Sequence, residues 1–269
     1  MSKKYLVAID MEGVACAIGV PYEGISRGEG KNYAFAARQA SREGCAAVNA
    51  LFESGADEVI VWDAHGDGLN LDYEMFDKRC RFIQGGDMRM TKLSVFDNLS
   101  GVVFIGYHAS DNTPDSVLCH TYSMINYTWN KINGEYVGEF EIDAAFLGKK
   151  GAKAIFLSGD QFVTAQAKTA CPWIETVTVK EGSGFNSCVS MHPAAACDAI
   201  YEGVKNAVAN LDAMKCYKIA EPFELTVCYK RAETAQLCHF RNPDGSVFGV
   251  VDAYTRKGTL SKIEDYFLH

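Results

Sequence analysis

Acidic and histidine side chains follow the ends of several short apolar runs in this sequence. Asp10 and Glu12 come after one run, Asp63 and His65 after a second, and His108 after a third. In an extended segment, residues i and i+2 lie on one face, so Asp10 projects together with Glu12, and Asp63 with His65. Carboxylates and imidazoles are typical ligands of zinc, manganese and iron. The spacing therefore predicts a metal site.

The number of charges favours two metal ions over one. Glu139, after Val137-Gly138, supplies a third carboxylate beside Asp10 and Glu12. Two divalent cations would leave one positive charge, which a bridging hydroxide cancels, and such a hydroxide is a nucleophile near neutral pH. The predicted ligands are Asp10, Glu12, His65, His108 and Glu139. Each of them taken alone is more often a helix cap or a turn residue than a metal ligand, so the prediction rests on all five together.

The apolar runs alternate with helical patterns, which is typical of an α/β fold. Uninterrupted apolar strands between helices predict a mostly parallel sheet with helices on both faces. Ligands bind beyond the carboxyl ends of strands in such sheets, where the candidate residues stand. The predicted strands are Tyr5–Ile9, Glu58–Trp62, Gly101–Tyr107, Ala154–Leu157 and Val177–Val179. The predicted helices are Tyr33–Phe52, Asp160–Lys168 and Pro193 to about Leu211.

The last fifty or so residues have a different pattern. Phe223–Tyr229 alternates between apolar and polar residues, and Leu237–Phe240 and Val247–Val251 flank turn residues at 242–245. We expect an α/β catalytic domain over residues 1–215 and a smaller, hairpin-rich α+β part over 216–269.

Composition narrows the possible partners. The chain has 269 residues and a net charge of -8, which argues against nucleic acid or an anionic membrane surface as the main partner. No apolar run is long enough for a membrane span, and Tyr5–Ile9 is too short for a signal-peptide core. We expect a cytoplasmic protein.

Taken together, the motifs resemble the zinc-dependent D-aminopeptidases of peptidase family M55 over about residues 5 to 182. The resemblance implies an α/β sheet domain with a smaller C-terminal part, and two zinc ions per chain. The same ligand types also accept manganese, iron or cobalt. The motifs, in the family's order, are Ile9-Asp10-Met11-Glu12-Gly13, Asp63-Ala64-His65, Gly106-Tyr107-His108-Ala109, His120, Val137-Gly138-Glu139 and Gly159-Asp160.

The resemblance also implies roles for individual residues. Asp10 would bridge the metals, the other ligands would be those named above, and His120 would be the catalytic histidine near the metals. Short peptides with an N-terminal D-amino acid, D-Ala-D-Ala among them, would be the substrates. The assembly would be a ring-like homo-oligomer of ten chains.

The sequence departs from the family pattern near the expected substrate pocket. The family's Gly-Asp-Asp is here Gly159-Asp160-Gln161, and an arginine common in the family is replaced around Phe185-Asn186. The segment 111–117 also differs. The expected metal ligands and His120 are unaffected by these changes. The changes fall where the substrate pocket is expected, so they affect which substrate the protein would accept.

Four residues near the motifs have roles that the sequence leaves open. His120 would transfer a proton to the leaving amine, stabilise the oxyanion or act as a nucleophile. Asp63 would orient an imidazole from outside the ligand set. Asp160 would bind the substrate amine or cap the following helix, with the cap favoured. Lys180 would neutralise a substrate carboxylate or lie on the surface.

Two other functions also fit the ligand pattern. One is a di-metal amidase or phosphoesterase that acts on another small substrate, although no cluster of Lys and Arg lies near the motifs. The other is a non-catalytic protein that binds metal or peptide. His120 weighs against the second, because binding alone does not need a further histidine beside five ligands.

Overall fold

The strands and helices described here come from a computed structural model that describes residues 3–20, 24–25, 32–86 and 93–267. The strands in chain order are β1 (Lys4–Ile9), β2 (Glu58–Asp63), β3 (Arg81–Ile83), β4 (Gly101–Tyr107), β5 (Tyr127–Ile132), β6 (Glu135–Tyr136), β7 (Ala154–Asp160), β8 (Glu175–Gly184), β9 (Ser187–Ser190), β10 (Phe223–Tyr229), β11 (Gly249–Val250) and β12 (Thr255–Leu260). The α-helices are α1 (Tyr33–Glu53), α2 (Glu139–Lys149), α3 (Gln161–Ala170), α4 (Pro193–Ala209) and α5 (Ala232–Gln236).

The main sheet has seven strands in the order β3-β2-β1-β4-β7-β8-β9. Its neighbouring strands are parallel except for β9, which runs antiparallel to β8. The chain adds β2 and β3 on one side of β1 and then returns to the other side with β4. Such a reversal of strand order leaves a crevice at the carboxyl ends of β1 and β4, where ligands bind in open α/β sheets.

Both faces of the main sheet are covered, which explains why its central strands are apolar at successive positions. Tyr5, Val7 and Ile9 of β1 face the layer formed by α1 and α4. Leu6 and Ala8 face the opposite layer, which contains α2, α3 and a second sheet. The mostly parallel α/β class expected from the sequence is confirmed.

The second sheet has five strands in the order β11-β12-β10-β5-β6, and all of its pairings are antiparallel. Strand β10 alternates between buried and partly buried residues, as its sequence predicted. The sheet takes three strands from the C-terminal segment and two from residues 127–136. The division of the chain at residue 215 stays a prediction.

The C-terminal segment differs from the predicted hairpin in one strand. The turn at 242–245 forms, with the Gly245 amide bonded to the Asn242 carbonyl, but Leu237–Phe240 is not a strand. Leu237 follows α5 directly and caps its end. The two chain segments on either side of the turn therefore pair only through an isolated bridge between Arg241 and Val247.

Within the described residues, no helix combines the length and apolar character that a bilayer crossing requires.

Candidate metal centre

The six residues expected at the active site lie together at the carboxyl edge of the main sheet. Asp10 follows β1 directly, His65 lies two residues after β2, and His108 follows β4. Glu139 is the first residue of α2, where the positive end of the helix dipole favours a carboxylate. All six are buried: Asp10, Glu12, His65, His108, His120 and Glu139.

One group of ligand atoms forms around His65. Its Nδ1 lies 3.0 Å from Oδ1 of Asp10 and 2.8 Å from Oε2 of Glu12. The second group forms around His108, whose Nε2 lies 3.3 Å from Oδ2 of Asp10 and 3.2 Å from Oε1 of Glu139. Asp10 therefore presents one carboxylate oxygen to each group, which is the arrangement of a bridging ligand.

Unpaired polar atoms indicate that these groups suit cations. Among the described residues, no hydrogen-bond partner is found for buried Oδ2 of Asp10, for either carboxylate oxygen of Glu12, or for Nε2 of His65 and of His108. Buried polar atoms normally have partners. Two atoms about 2.1 Å from one zinc ion at the tetrahedral angle lie about 3.4 Å apart, close to the separations given above. The donor set therefore fits zinc.

The pKa shifts in the cluster reflect an excess of negative charge. Burial and the adjacent Glu12 carboxylate raise the pKa of Asp10 to about 7. Burial alone would raise the pKa of Glu12, but His65 outweighs it and holds that pKa well below its ordinary value. Burial opposes charged imidazoles, yet the carboxylates hold the pKa of His65 and of His108 well above the ordinary value. Either protons or metal cations can supply the positive charge that these carboxylates require.

His120 lies beside this cluster in a different electrostatic state. Its ring stacks on that of His108, with centroids 4.0 Å apart. Its Nδ1 lies 2.8 Å from the Leu118 carbonyl, and its Nε2 lies 3.5 Å from Oε1 of Glu139. Burial, followed by the charge of His108, lowers the pKa of His120. A neutral ring that donates from Nδ1 keeps Nε2 free to accept a proton.

The position of Glu139 is fixed by contacts that the sequence did not suggest. The Tyr122 amide donates to Oε1 of Glu139 at 2.7 Å. The hydroxyls of Tyr107 and Tyr122 each donate to Asp143, one turn further along α2, at 2.7 Å. Burial raises the pKa of Asp143 to about 7. The available signal was an acidic residue within the otherwise apolar run Ile142 to Leu147, which requires buried partners.

Asp63 organises the segment after His65. Its Oδ2 accepts hydrogen bonds from the Asn70 and Leu71 amides and the Tyr73 hydroxyl, and its Oδ1 accepts from the Asn70 side chain. The Asn70 side chain also donates to the His65 carbonyl at 2.6 Å. These bonds fix the His65 backbone; the expected bond from Asp63 to an imidazole is not among them.

The two expected substrate contacts have internal partners. Asp160 accepts from the Phe162 and Val163 amides through Oδ1, and so caps α3. Through Oδ2 it accepts from the Ser116 hydroxyl and the Val117 amide. The ammonium of Lys180 is buried and donates to main-chain carbonyls of the segment that carries Asp10 and Glu12. A role of either residue in substrate binding stays a prediction.

A cavity of about 280 Å³ opens beside the cluster. This is at or just below the small end of the range for ligand sites, and it suits a short substrate. Five of the expected site residues line one part of it: Asp10, Glu12, His65, His120 and Glu139. The apolar part of its wall contains Trp62, Met124, Ile125 and Phe267.

Comparisons with known proteins find similar sequences and a similar fold. The model of peptidase family M55, described as D-aminopeptidase, matches residues 3–244. A D-aminopeptidase of Bacillus subtilis (strain 168) is 26% identical over 213 residues, which cover 79% of this chain and 76% of the relative. The solved structure titled "Zn-dependent D-aminopeptidase DppA from Bacillus subtilis, a self-compartmentalizing protease" matches with a TM-score of 0.86 and 22% identity. That match covers 98% of this chain and 94% of the other, and it shows a shared fold.

Proposed function

The chain belongs to the D-aminopeptidase family, peptidase family M55, and on that premise we propose that its buried cluster holds two zinc ions for the hydrolysis of short peptides. The family expected from the sequence, and with it an enzyme of the metallopeptidase type, is confirmed.

The position of Asp10 is the observation that carries the proposal. Its two carboxylate oxygens face separate ligand groups, one around His65 and one around His108. A carboxylate that bridges two metals in this way is typical of two-metal hydrolases. Asp10, Glu12 and His65 would hold one ion, and Asp10, His108 and Glu139 would hold the other.

Zinc ions bound there would supply a water of lowered pKa and a Lewis acid for the scissile carbonyl. His120 would carry the proton step. Its Nδ1 donates to the Leu118 carbonyl, so its Nε2 is the atom that accepts a proton and returns it to the leaving amine. Burial keeps this ring neutral, as general-base catalysis near neutral pH requires.

The cavity supports a short peptide as the substrate. Its volume of about 280 Å³ leaves room for a small residue beside the metal ligands. Among the described residues that line it, none is Lys or Arg, so this part of the wall offers a phosphate ester no cationic side chain. We therefore favour peptide hydrolysis over the phosphoesterase alternative, and an N-terminal D-residue follows from the family.

The Bacillus subtilis structure is titled a self-compartmentalizing protease, and we propose that this chain likewise assembles with copies of itself. Ten copies in a ring and a cytoplasmic location stay predictions.

Hydrolysis of D-Ala-D-Ala and L-Ala-L-Ala, with zinc counted on the same sample, tests the proposed function. We expect release of D-Ala, little cleavage of the L-dipeptide, and about two zinc ions per chain. Zinc-loaded protein that cleaves simple amides or phosphate esters but neither dipeptide would contradict the assignment of substrate. Protein that takes up no zinc would contradict the metal centre itself.

A further inference from the structure

The side chain of Lys180, in the middle of β8, is buried and makes three contacts with one segment. Its ammonium donates to the carbonyl of Glu12, to that of Val14 at 3.1 Å and to that of Ala17 at 2.7 Å. An ammonium group has three donors, so all of them are used. We call residues 10–17, which carry the metal ligands Asp10 and Glu12, the ligand loop.

Other contacts hold the ligand loop by its amide groups. The Gly13 amide donates to the Gly106 carbonyl at 2.7 Å, and the Ala15 amide donates to Oε1 of Glu43 at 2.9 Å. The Cys16 amide donates to the Ser190 hydroxyl at 2.7 Å. Lys180 holds the same loop by its carbonyl groups, because one ammonium donates hydrogen bonds to three of them.

The Glu12 side chain depends strongly on this backbone. It approaches Nδ1 of His65, and among the described residues neither of its oxygens has a hydrogen-bond partner. Apart from this contact at 2.8 Å with another proposed metal ligand, no group of the described residues holds the carboxylate, so its place depends mainly on the path of the ligand loop. Glu139, in contrast, is held directly by the Tyr122 amide.

We propose that Lys180 is a positioning residue for the metal ligand Glu12. By fixing the carbonyls of Glu12, Val14 and Ala17, it sets the metal affinity of the position formed by Asp10, Glu12 and His65. The position formed by Asp10, His108 and Glu139 is held by other contacts and depends on Lys180 much less. This inference rests on the proposed two-zinc site.

The sign of the change in affinity separates positioning from simple electrostatics. A positive charge near a cation site opposes cation binding. If Lys180 acted only through its charge, Lys180→Met would strengthen zinc binding and Lys180→Arg would leave it unchanged. If Lys180 positions the ligand loop, both substitutions weaken zinc binding, and methionine does so more because it donates no hydrogen bond.

The experiment measures both zinc affinities by competition with a chromophoric chelator. Lys153→Met is the matched control, since the Lys153 ammonium donates to the Leu211 carbonyl at 2.8 Å, away from the ligand loop. We expect wild type and Lys153→Met to bind two zinc ions equally well. Lys180→Met should weaken one of the two by about 10- to 100-fold, as is typical when a group that supports a metal ligand is lost. The zinc affinity of Lys180→Arg should lie between those of wild type and Lys180→Met.

Folded Lys180→Met with both affinities unchanged or strengthened would overturn the positioning role. If Lys180→Met does not fold, the zinc affinity of Lys180→Arg tests the proposal instead. A zinc affinity equal to that of wild type in Lys180→Arg would overturn it. If wild type binds two zinc ions and the Lys180 variants bind them with the same affinities, only the role of Lys180 is refuted. Wild type that binds no zinc would refute the proposed metal centre, and the role of Lys180 with it.

Discussion

The imidazole rings of His108 and His120 stack with their centroids 4.0 Å apart and their planes 7° from parallel. Each ring places its Nδ1 about hydrogen-bond distance from a main-chain carbonyl, 3.0 Å from Ala109 and 2.8 Å from Leu118. Both therefore present Nε2 toward Glu139. One stack thus joins a proposed metal ligand to the proposed proton carrier. The neighbouring carboxylates hold the pKa of His108 well above its ordinary value, whereas burial, followed by the charge of His108, lowers the pKa of His120.

His120→Ala should lower kcat by roughly 10²–10⁴-fold, the usual contribution of a general acid–base group, and leave zinc content unchanged. Dipeptide kinetics and metal analysis on one sample measure both effects. The control is His192→Asn, which changes an exposed histidine and keeps a side chain able to cap α4. Loss of one zinc ion in His120→Ala would instead identify His120 as a ligand, which its place within 4.8 Å of the His108 and Glu139 ligand atoms permits.

Glu139→Gln should remove one metal and most of the activity. The substitution keeps the size of the side chain but removes the charge that binds a cation, so zinc should fall from about two to about one per chain. Glu141→Gln is the matched control on the same turn of α2, because Glu141 accepts a hydrogen bond from the Gly138 amide and glutamine can do the same. Full activity with two zinc ions in Glu139→Gln would show that the ligand assignment is wrong.

Glu43→Gln should stabilise the protein at alkaline pH. Burial raises the pKa of Glu43 from 4.5 to about 7, and its Oε2 has no partner among the described residues. The folded state then binds the proton more tightly than the unfolded state, so wild type loses stability as pH rises from about 4.5 to 7. The loss is at most about 3 kcal/mol.

Urea unfolding of wild type and Glu43→Gln at several pH values measures this effect. Glu43→Gln should have the larger free energy of unfolding at pH 8, and its difference from wild type should vanish near pH 4. Glu74→Gln, at an exposed position, serves as the control for the same change of side chain. A difference between Glu43→Gln and wild type that does not vary with pH would contradict a buried, proton-binding Glu43.

Phe267→Leu should widen the range of accepted N-terminal side chains. Phe267 lines the cavity and packs edge-on against Tyr122 and also against Phe146. A smaller apolar side chain there leaves more room, and we expect kcat/KM for a D-Phe dipeptide to rise roughly tenfold relative to D-Ala-D-Ala. Phe146→Leu makes the same change in the same aromatic cluster, away from the cavity lining. An equal shift in both variants would contradict a direct role of Phe267 in specificity.

The strand ends were predictable because each is encoded locally. An apolar run such as Val102 to Ile105 identifies a buried strand, and the polar residue that follows identifies the edge of the sheet. The proposed ligands Asp10, His65 and His108 belong to this class, and their side chains lie together at the edge of the sheet. The short β6 and β11, with two residues each, carry too little pattern to predict.

The roles of Asp160 and Lys180 could not be predicted because their partners are distant in sequence. These two residues are register neighbours on β7 and β8. Asp160 reaches Ser116, 44 residues away, and Lys180 reaches the Glu12 carbonyl, 168 residues away. A charged residue that follows an apolar run looks the same in sequence whether it binds a substrate or holds a neighbouring loop, since only tertiary packing decides which groups it meets.

Anomalous diffraction from crystals of the zinc-loaded protein, measured on both sides of the zinc absorption edge, tests the two-metal site most directly. The account predicts two peaks roughly 3.5–4 Å apart with the Asp10 carboxylate between them. One peak should contact Glu12 and His65, and the other His108 and Glu139. A single peak, or a pair of peaks that Asp10 does not bridge, would contradict it.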